Sequence, residues 1–117
     1  MSLMEELKGL GADVDEALDR VMGDQDLYVM MLGMFLSSLA ENDIRVEEFD
    51  AADLEELTKR VHTLKGITGN LGLTPLFDRY TESLGQLRAG DGRAAKETYV
   101  KLLPVQETIV ECIRRHQ

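Results

Sequence analysis

A chain of 117 residues that is 44% hydrophobic and 30% charged has the composition of one small globular domain with its own core. Its net charge of −9 argues against nucleic-acid binding. The charge is uneven, because residues 1–57 hold sixteen acidic and three basic side chains, whereas residues 58–117 hold six and ten and are net +4.

Hydrophobic spacing predicts five helical segments and no strand. The first opens at Asp13, which forms a capping-box pattern with Glu16, and it ends near Gly23. Asp24 caps a second, long helix. Apolar residues recur there at three- and four-residue steps, which predicts that it continues to Phe49.

Asp53 and Glu56 repeat the capping pattern before a third helix that runs to about Leu71. A step of about 100° per residue places five apolar side chains in one stripe and points His62 roughly 135° from its centre. The stripe comprises Leu54, Leu57, Val61, Leu64 and Leu71. His62 is therefore expected to face solvent.

Two further helices complete the chain. Thr74 followed by Pro75 predicts an N-cap and a first-turn proline, and Gly90 ends that helix. Asp91 opens the final helix, where Pro104 removes a backbone hydrogen bond and is expected to kink or break it. Residues 1–117 are thus predicted to form a single all-α domain, an antiparallel up-down four-helix bundle with a short N-terminal helix.

The expected cellular compartment is inferred from the lack of a signal peptide, of a membrane segment and of a second cysteine. The amino terminus shows no basic region followed by an apolar run, and the apolar run from Leu27 to Leu39 is too short to span a bilayer. Cys112 is the only cysteine and is expected to be a small core residue. We therefore expect a cytoplasmic, monomeric protein with no membrane segment.

Two glycines accompany His62 along its helix. Gly66 and Gly69 lie within roughly 40° of His62 in projection, so the helix surface beside the imidazole is expected to be bare. A glycine inside a helix costs about 1 kcal/mol relative to alanine. On an exposed helix face, packing within the chain does not require glycine. The two glycines therefore indicate that another molecule approaches this surface closely.

His62, Lys65 and Gly66, followed by the Asn-Leu-Gly run at residues 70–72, resemble the signature of histidine-containing phosphotransfer (HPt) domains of bacterial two-component phosphorelays. A weaker similarity covers the predicted opening helices at residues 13–18 and 26–36. Gly69 departs mildly, since the family pattern more often has alanine or serine there.

The resemblance implies that His62 takes a phosphoryl group from an aspartate of one receiver domain and passes it to an aspartate of another. Lys65 would reach the phosphate oxygens, and Gly66 would admit the partner's aspartate with its Mg²⁺. Lys59, Gly66, Gly69 and Asn70 are the expected docking residues. Asn70 is expected to hold the helix end or a neighbouring loop in place rather than to touch phosphate.

The implied partners are response-regulator receiver domains and a hybrid sensor histidine kinase. The chain has no phosphate loop or kinase signature, so it is expected to be a phosphoryl carrier and not an enzyme. No cofactor or metal of its own is expected, because Mg²⁺ would lie on the receiver. The alternative is a non-catalytic docking or adaptor module that binds receivers. Whether the chain stands alone or is a domain of a larger kinase is left open.

Overall fold

The computed structural model describes all 117 residues and is entirely helical, with overall dimensions of 43 × 24 × 22 Å. In chain order the elements are α1 (Leu3–Gly9), α2 (Val14–Arg20), α3 (Gln25–Glu41), a 3₁₀ helix (Val46–Asp50), α4 (Glu55–Asn70), α5 (Thr74–Arg88) and α6 (Gly92–Arg115). None of these helices combines the length and the apolar character needed to cross a bilayer. The prediction of helices without strands is confirmed.

Three predicted helix starts are confirmed by their caps. The carboxylates of Asp13, Asp24 and Asp91 each accept a hydrogen bond from the backbone N–H three residues later, at 3.0–3.2 Å. Each such cap satisfies a backbone N–H that has no partner within the helix and contributes about 1 kcal/mol. Short polar side chains therefore begin α2, α3 and α6.

Two other predicted caps are wrong. The residue that caps α4 is Leu54, and the carboxylate of Asp53 accepts a hydrogen bond from the backbone N–H of Glu55 at 3.0 Å. Thr74 is already the first residue of α5, and Leu73 precedes it as the cap without a side-chain hydrogen bond. In both cases the helix begins one residue away from the position that the capping pattern predicts.

The predicted long helix to Phe49 is also wrong, because α3 ends at Glu41. The side chain of Asn42 donates a hydrogen bond to the last turn of α3 at 3.0 Å. Ile44, just before the 3₁₀ turn, and Phe49 within it are both buried, and Phe49 packs on Tyr99 of α6. The Tyr99 hydroxyl donates to the Ile44 carbonyl at 3.2 Å. The apolar spacing continues past Glu41 because this separate turn also packs on the core.

Helix α1 precedes the first helix that the sequence predicted. The Ser2 hydroxyl accepts a hydrogen bond from the Glu5 N–H at 3.1 Å and caps it, while Leu3 and Leu7 are buried. Helix α1 packs on α6 and α2. A serine followed three residues later by a glutamate is the signal that predicts this helix.

The carboxylate of Glu6 joins α1 to the end of α6. It accepts hydrogen bonds from the Cys112 thiol at 3.2 Å and from Arg115 at 2.9 Å. Nε2 of His116 lies 3.4 Å from its other oxygen. The pKa of Glu6 is lowered, chiefly by the hydrogen bond from Cys112.

Helix α6 continues without a break through Pro104. Pro104 lies on the exposed side of the helix, whereas Leu102 and Ile109 on either side of it are buried in the core. Packing of the neighbouring turns compensates for the missing backbone hydrogen bond. Of the two outcomes expected for Pro104, a break is therefore excluded.

The core lies between the longer helices, with α5 packed against α4 and α6, and α3 packed against α4 and α6. Its largest fully buried side chains include Tyr28, Tyr80 and Phe35. Cys112 is fully buried, as predicted. Every buried side-chain oxygen or nitrogen has a hydrogen-bond partner.

An ion pair fastens the 3₁₀ segment to α4. Arg60 donates to both oxygens of Glu48, at 2.6 and 3.0 Å, and to the carbonyl of Asp43 at 2.6 Å. The backbone N–H of Arg45 also donates to Glu48 at 2.7 Å. The hydrogen bonds from Arg60, and then that from Arg45, lower the pKa of Glu48 to about 2 from 4.5.

Glu48→Gln is expected to lower the free energy of unfolding at neutral pH by about 1–2 kcal/mol, since solvent screens this partly exposed pair. Because the folded-state pKa is lowered, the stabilisation is complete above pH 4.5 and is lost as the pH falls towards 2. Urea unfolding of both proteins across this range measures the difference. Glu56→Gln, in an exposed pair with Lys59, is the control. A difference between Glu48→Gln and wild type that stays constant down to pH 2 would contradict the ion-pair argument.

Candidate functional site

His62 lies on the solvent side of α4. Leu57, Val61, Leu64 and Leu71 of the predicted stripe are buried, whereas His62 is exposed. The helix is held against the core by the leucine and valine side chains, so the imidazole stays on the outer surface. The predicted orientation is confirmed.

A shallow depression of about 370 Å³ has His62 in its lining. Its lining consists of Thr58, Lys59, His62 and Thr63 from α4 and Arg88 from the last turn of α5. Arg88 is far from His62 in the sequence and was not predicted as a site residue. The short connection between α4 and α5 is the sequence feature that could have predicted Arg88 here. Helices joined by a short connection run antiparallel, so the end of α5 lies beside the start of α4.

Two basic side chains near His62 form no ion pair with a carboxylate. Neither Arg88, which is exposed, nor Lys65, which is half-buried, forms an ion pair within the chain. Arg88 lines the depression, whereas Lys65 lies one turn along α4 and does not line it. Unpaired cations beside an exposed imidazole favour an added phosphate.

Three other basic side chains of α4 and α5 are paired with carboxylates. Lys59 lines the depression but pairs with Glu56 at 3.3 Å and approaches Glu55 at 3.9 Å. Arg60 binds Glu48 on a different side of α4. Arg79 approaches Glu82 of its own helix at 3.9 Å. The positive charge at the site therefore comes from Arg88, Lys65 and a partly neutralised Lys59.

The two glycines of α4 have different surroundings. A Cβ built on Gly66 meets no atom within 4 Å, so this position is open as predicted. A Cβ on Gly69 would lie 2.9 Å from ring carbons of Phe77. The expectation of a bare surface at Gly69 is therefore wrong, because Gly69 admits the Phe77 ring and lets α5 approach α4 closely.

Gly72 has a structural role at the end of α4. Its φ of +67° is in the left-handed region, which side chains other than that of glycine adopt at a cost. The backbone N–H of Asp13 donates to the Gly72 carbonyl at 2.7 Å, and a Cβ on Gly72 would overlap the Asp13 carbonyl. The glycine of the Asn-Leu-Gly run thus permits the contact between α4 and the start of α2.

Residues outside the motif hold the last turn of α4. Arg20 donates to the carbonyls of Gly69 and Asn70, at 2.9 and 3.0 Å. Tyr28 donates to the Leu71 carbonyl at 2.8 Å, and burial raises the pKa of this phenol to about 12. The Asn70 side chain is exposed and makes no hydrogen bond within the chain. The prediction that Asn70 holds this end is wrong, and Arg20 with Tyr28 performs that role.

The chemistry available at this site is that of an exposed imidazole. A neutral imidazole nitrogen is a nucleophile near pH 7 and forms a phosphoramidate that remains a reactive donor. No group of three or more His, Cys, Asp or Glu side chains converges in a geometry that would hold a metal ion. The depression is open and polar, which suits contact with a surface on another macromolecule.

Comparison with protein-family models, with curated proteins and with solved structures finds no match for this chain. Functional inference therefore depends on the residues of the site and their arrangement. These are the exposed His62, the free cations Lys65 and Arg88, and the open position at Gly66.

Proposed function

We propose that this chain is a phosphorelay carrier of the histidine-containing phosphotransfer kind. His62 accepts a phosphoryl group from an aspartate of one receiver domain and donates it to an aspartate of another. The observation that carries the proposal is an exposed imidazole flanked by an unpaired Arg88 and by the open surface at Gly66. The sequence resemblance at His62, Lys65 and Gly66 supports the same function.

The transfer exchanges one bond for another. A lone pair on the His62 ring attacks phosphorus, and an N–P bond forms while the O–P bond to the donor's carboxylate breaks. Donation to the second aspartate reverses these changes. Arg88, Lys65 and Lys59 offset the charge on the phosphoryl oxygens, and Mg²⁺ on the receiver does so from the opposite side.

The proposed architecture is an antiparallel up-down four-helix bundle made by α3, α4, α5 and α6. It is preceded by α1 and by α2, the short amino-terminal helix that the sequence predicted. The opposite directions of α4 and α5 are supported by contacts near both ends. Gly69 meets Phe77 where the two helices connect, and Thr58 lines the same depression as Arg88 at the far end. This arrangement places His62 in the middle of an exposed helix face.

Transfer from a receiver phosphorylated on its aspartate with ³²P-labelled small-molecule donor tests the function directly. Label that moves to this chain and is labile in acid but stable in base identifies a phosphohistidine. Receivers from the same organism are assayed for both transfer and binding. Binding without transfer of label would contradict the carrier proposal and favour the docking or adaptor module.

Lys65→Ala and Arg88→Ala are each expected to slow transfer by roughly tenfold at low salt, because each removes a cation that stabilises phosphoryl charge. The folded state is expected to keep its melting temperature, since neither side chain forms an ion pair. Single-turnover transfer rates provide the measurement. Arg93→Ala, a cation at the start of α6, is the control for loss of net charge. If Arg93→Ala and Arg88→Ala slow transfer equally, the local role of Arg88 is wrong.

Gly66→Gln is expected to raise the free energy of unfolding by several tenths of a kcal/mol and to slow transfer at least about tenfold. The stability gain follows from helix propensity in open space, and the loss of transfer follows from bulk on the docking face. Gly66→Ala is the matched control, because it gains at least as much helix propensity with little bulk and is expected to keep most of the rate. Full-rate transfer by Gly66→Gln would show that the partner does not cover this position.

A further inference from the structure

Lys59 lies between two carboxylates and the imidazole on α4. Its ammonium is 3.3 Å from the carboxylate of Glu56 and 3.9 Å from that of Glu55, both about one turn before it. His62 follows about one turn later and lines the same depression as Lys59. By helix geometry, Glu55 and His62 lie within about 20° of each other around α4 and about 10.5 Å apart along it. The flexible side chain of Lys59 therefore turns towards either group without a change in the backbone.

The ion pairs that Lys59 makes with these carboxylates are weak enough to be exchanged. The side chains of Lys59, Glu55 and Glu56 are 64%, 75% and 81% exposed. Water and salt screen ion pairs that are exposed to this extent. A phosphoryl group carries more than one negative charge near neutral pH, and its three oxygens accept strong hydrogen bonds. A phosphoryl group on His62 therefore attracts the ammonium more strongly than one carboxylate does.

We propose that Lys59 exchanges its carboxylate partners for the phosphoryl oxygens when His62 is phosphorylated. This inference rests on the proposed function, in which His62 carries the phosphoryl group. Because Glu55 and Glu56 hold the ammonium in the unphosphorylated chain, they compete with the phosphoryl group and lower the stability of the phosphorylated chain. The two carboxylates thereby shift the transfer equilibrium towards the aspartate of the receiver, so the chain favours donation over storage.

Two simpler roles of these carboxylates give different expected results. Glu55 and Glu56 lie in the first turn of α4, where negative charge interacts favourably with the helix dipole. That role alone predicts a lower melting temperature in glutamine variants and no effect on the phosphoryl group. Direct repulsion between the carboxylates and the phosphoryl group predicts an effect that does not need Lys59. Exchange of partners predicts an effect that disappears when Lys59 is replaced.

The test uses the 117-residue chain with His116→Gln, so that His62 is its only histidine. Phosphoramidate phosphorylates the ring: a ring nitrogen attacks phosphorus, the new N–P bond forms, and the P–N bond of the reagent breaks with release of ammonia. ³¹P NMR against pH then gives the pKa of the phosphoryl group, which a free ammonium nearby lowers. Arg88, the charged lining residue from α5, is the same in every variant. No receiver is needed, so a receiver that fails to transfer phosphate would overturn the proposed function alone.

Replacing Glu55 and Glu56 together by glutamine is expected to raise the acid dissociation constant of the phosphoryl group about two- to fivefold, because the freed Lys59 stabilises the dianion. The ratio of phosphorylated chain to phosphorylated receiver at equilibrium should rise by a similar factor. In a Lys59→Gln background the same two substitutions should have no effect, which completes a double-mutant cycle. Glu97→Gln, which removes a carboxylate from an exposed pair with Arg93, is the matched control and should change neither quantity. An increase that persists without Lys59 would overturn the exchange, as would a glutamine double variant that behaves as wild type.

Discussion

His62→Gln is expected to abolish labelling of the chain by a phosphorylated receiver, a loss of at least about a thousandfold in rate. Glutamine keeps a polar side chain of similar reach but lacks a nucleophilic ring nitrogen. Because His62 is exposed and packs against no core residue, helical circular dichroism and the melting temperature should stay unchanged. The measurement is acid-labile label per chain after incubation with labelled receiver.

His116→Gln is the matched control, because it removes the only other histidine. It should keep full labelling, since His116 lies beside Glu6 at the far end of α6 and away from the depression. Label that persists in His62→Gln, or that disappears in His116→Gln, would assign the phosphate to a different residue.

Gly72→Ala is expected to lower the free energy of unfolding by about 2–4 kcal/mol, with two physical causes. The positive φ strains any side chain, and the new Cβ overlaps the Asp13 carbonyl. Backbone atoms cannot move aside as a flexible side chain does, because the Asp13 N–H is bonded to the Gly72 carbonyl. Urea unfolding at neutral pH gives the difference.

The variant Gly90→Ala separates the strain of a positive φ from the overlap of a new Cβ with backbone. Gly90 has a φ of +79°, but a Cβ there meets nothing within 4 Å. It should therefore cost only the conformational strain, about 1–2 kcal/mol. If Gly72→Ala is no more destabilising than Gly90→Ala, the contact between α4 and the start of α2 contributes nothing measurable.

The sequence predicted the features that depend on residues within a single helix. Asp13, Asp24 and Asp91 begin their helices because each carboxylate reaches a backbone N–H only three residues away. The exposure of His62 follows from the angular spacing of leucines on the same helix. Neither result requires knowledge of what packs against α4.

Features that depend on a second element escaped prediction. The end of α3 is set by Asn42 and by burial of Phe49 against α6, which apolar periodicity alone does not reveal. Gly69 is enclosed by Phe77, and Arg88 reaches the depression only because α5 returns along α4. The exposure of His62 and the open position at Gly66 were therefore predictable from the sequence of α4, whereas the α5 side of the depression was not.

The burial of Cys112 beneath α1 makes this thiol a reporter of local opening. Its sulfur is fully buried, and burial raises the pKa of the thiol, so the reactive thiolate is scarce while α1 stays docked. Alkylation then requires that α1 detach and the hydrogen bond to Glu6 break. The rate at which a small reagent modifies the single cysteine, compared with the rate in the unfolded chain, gives the free energy that holds α1 to the rest of the domain.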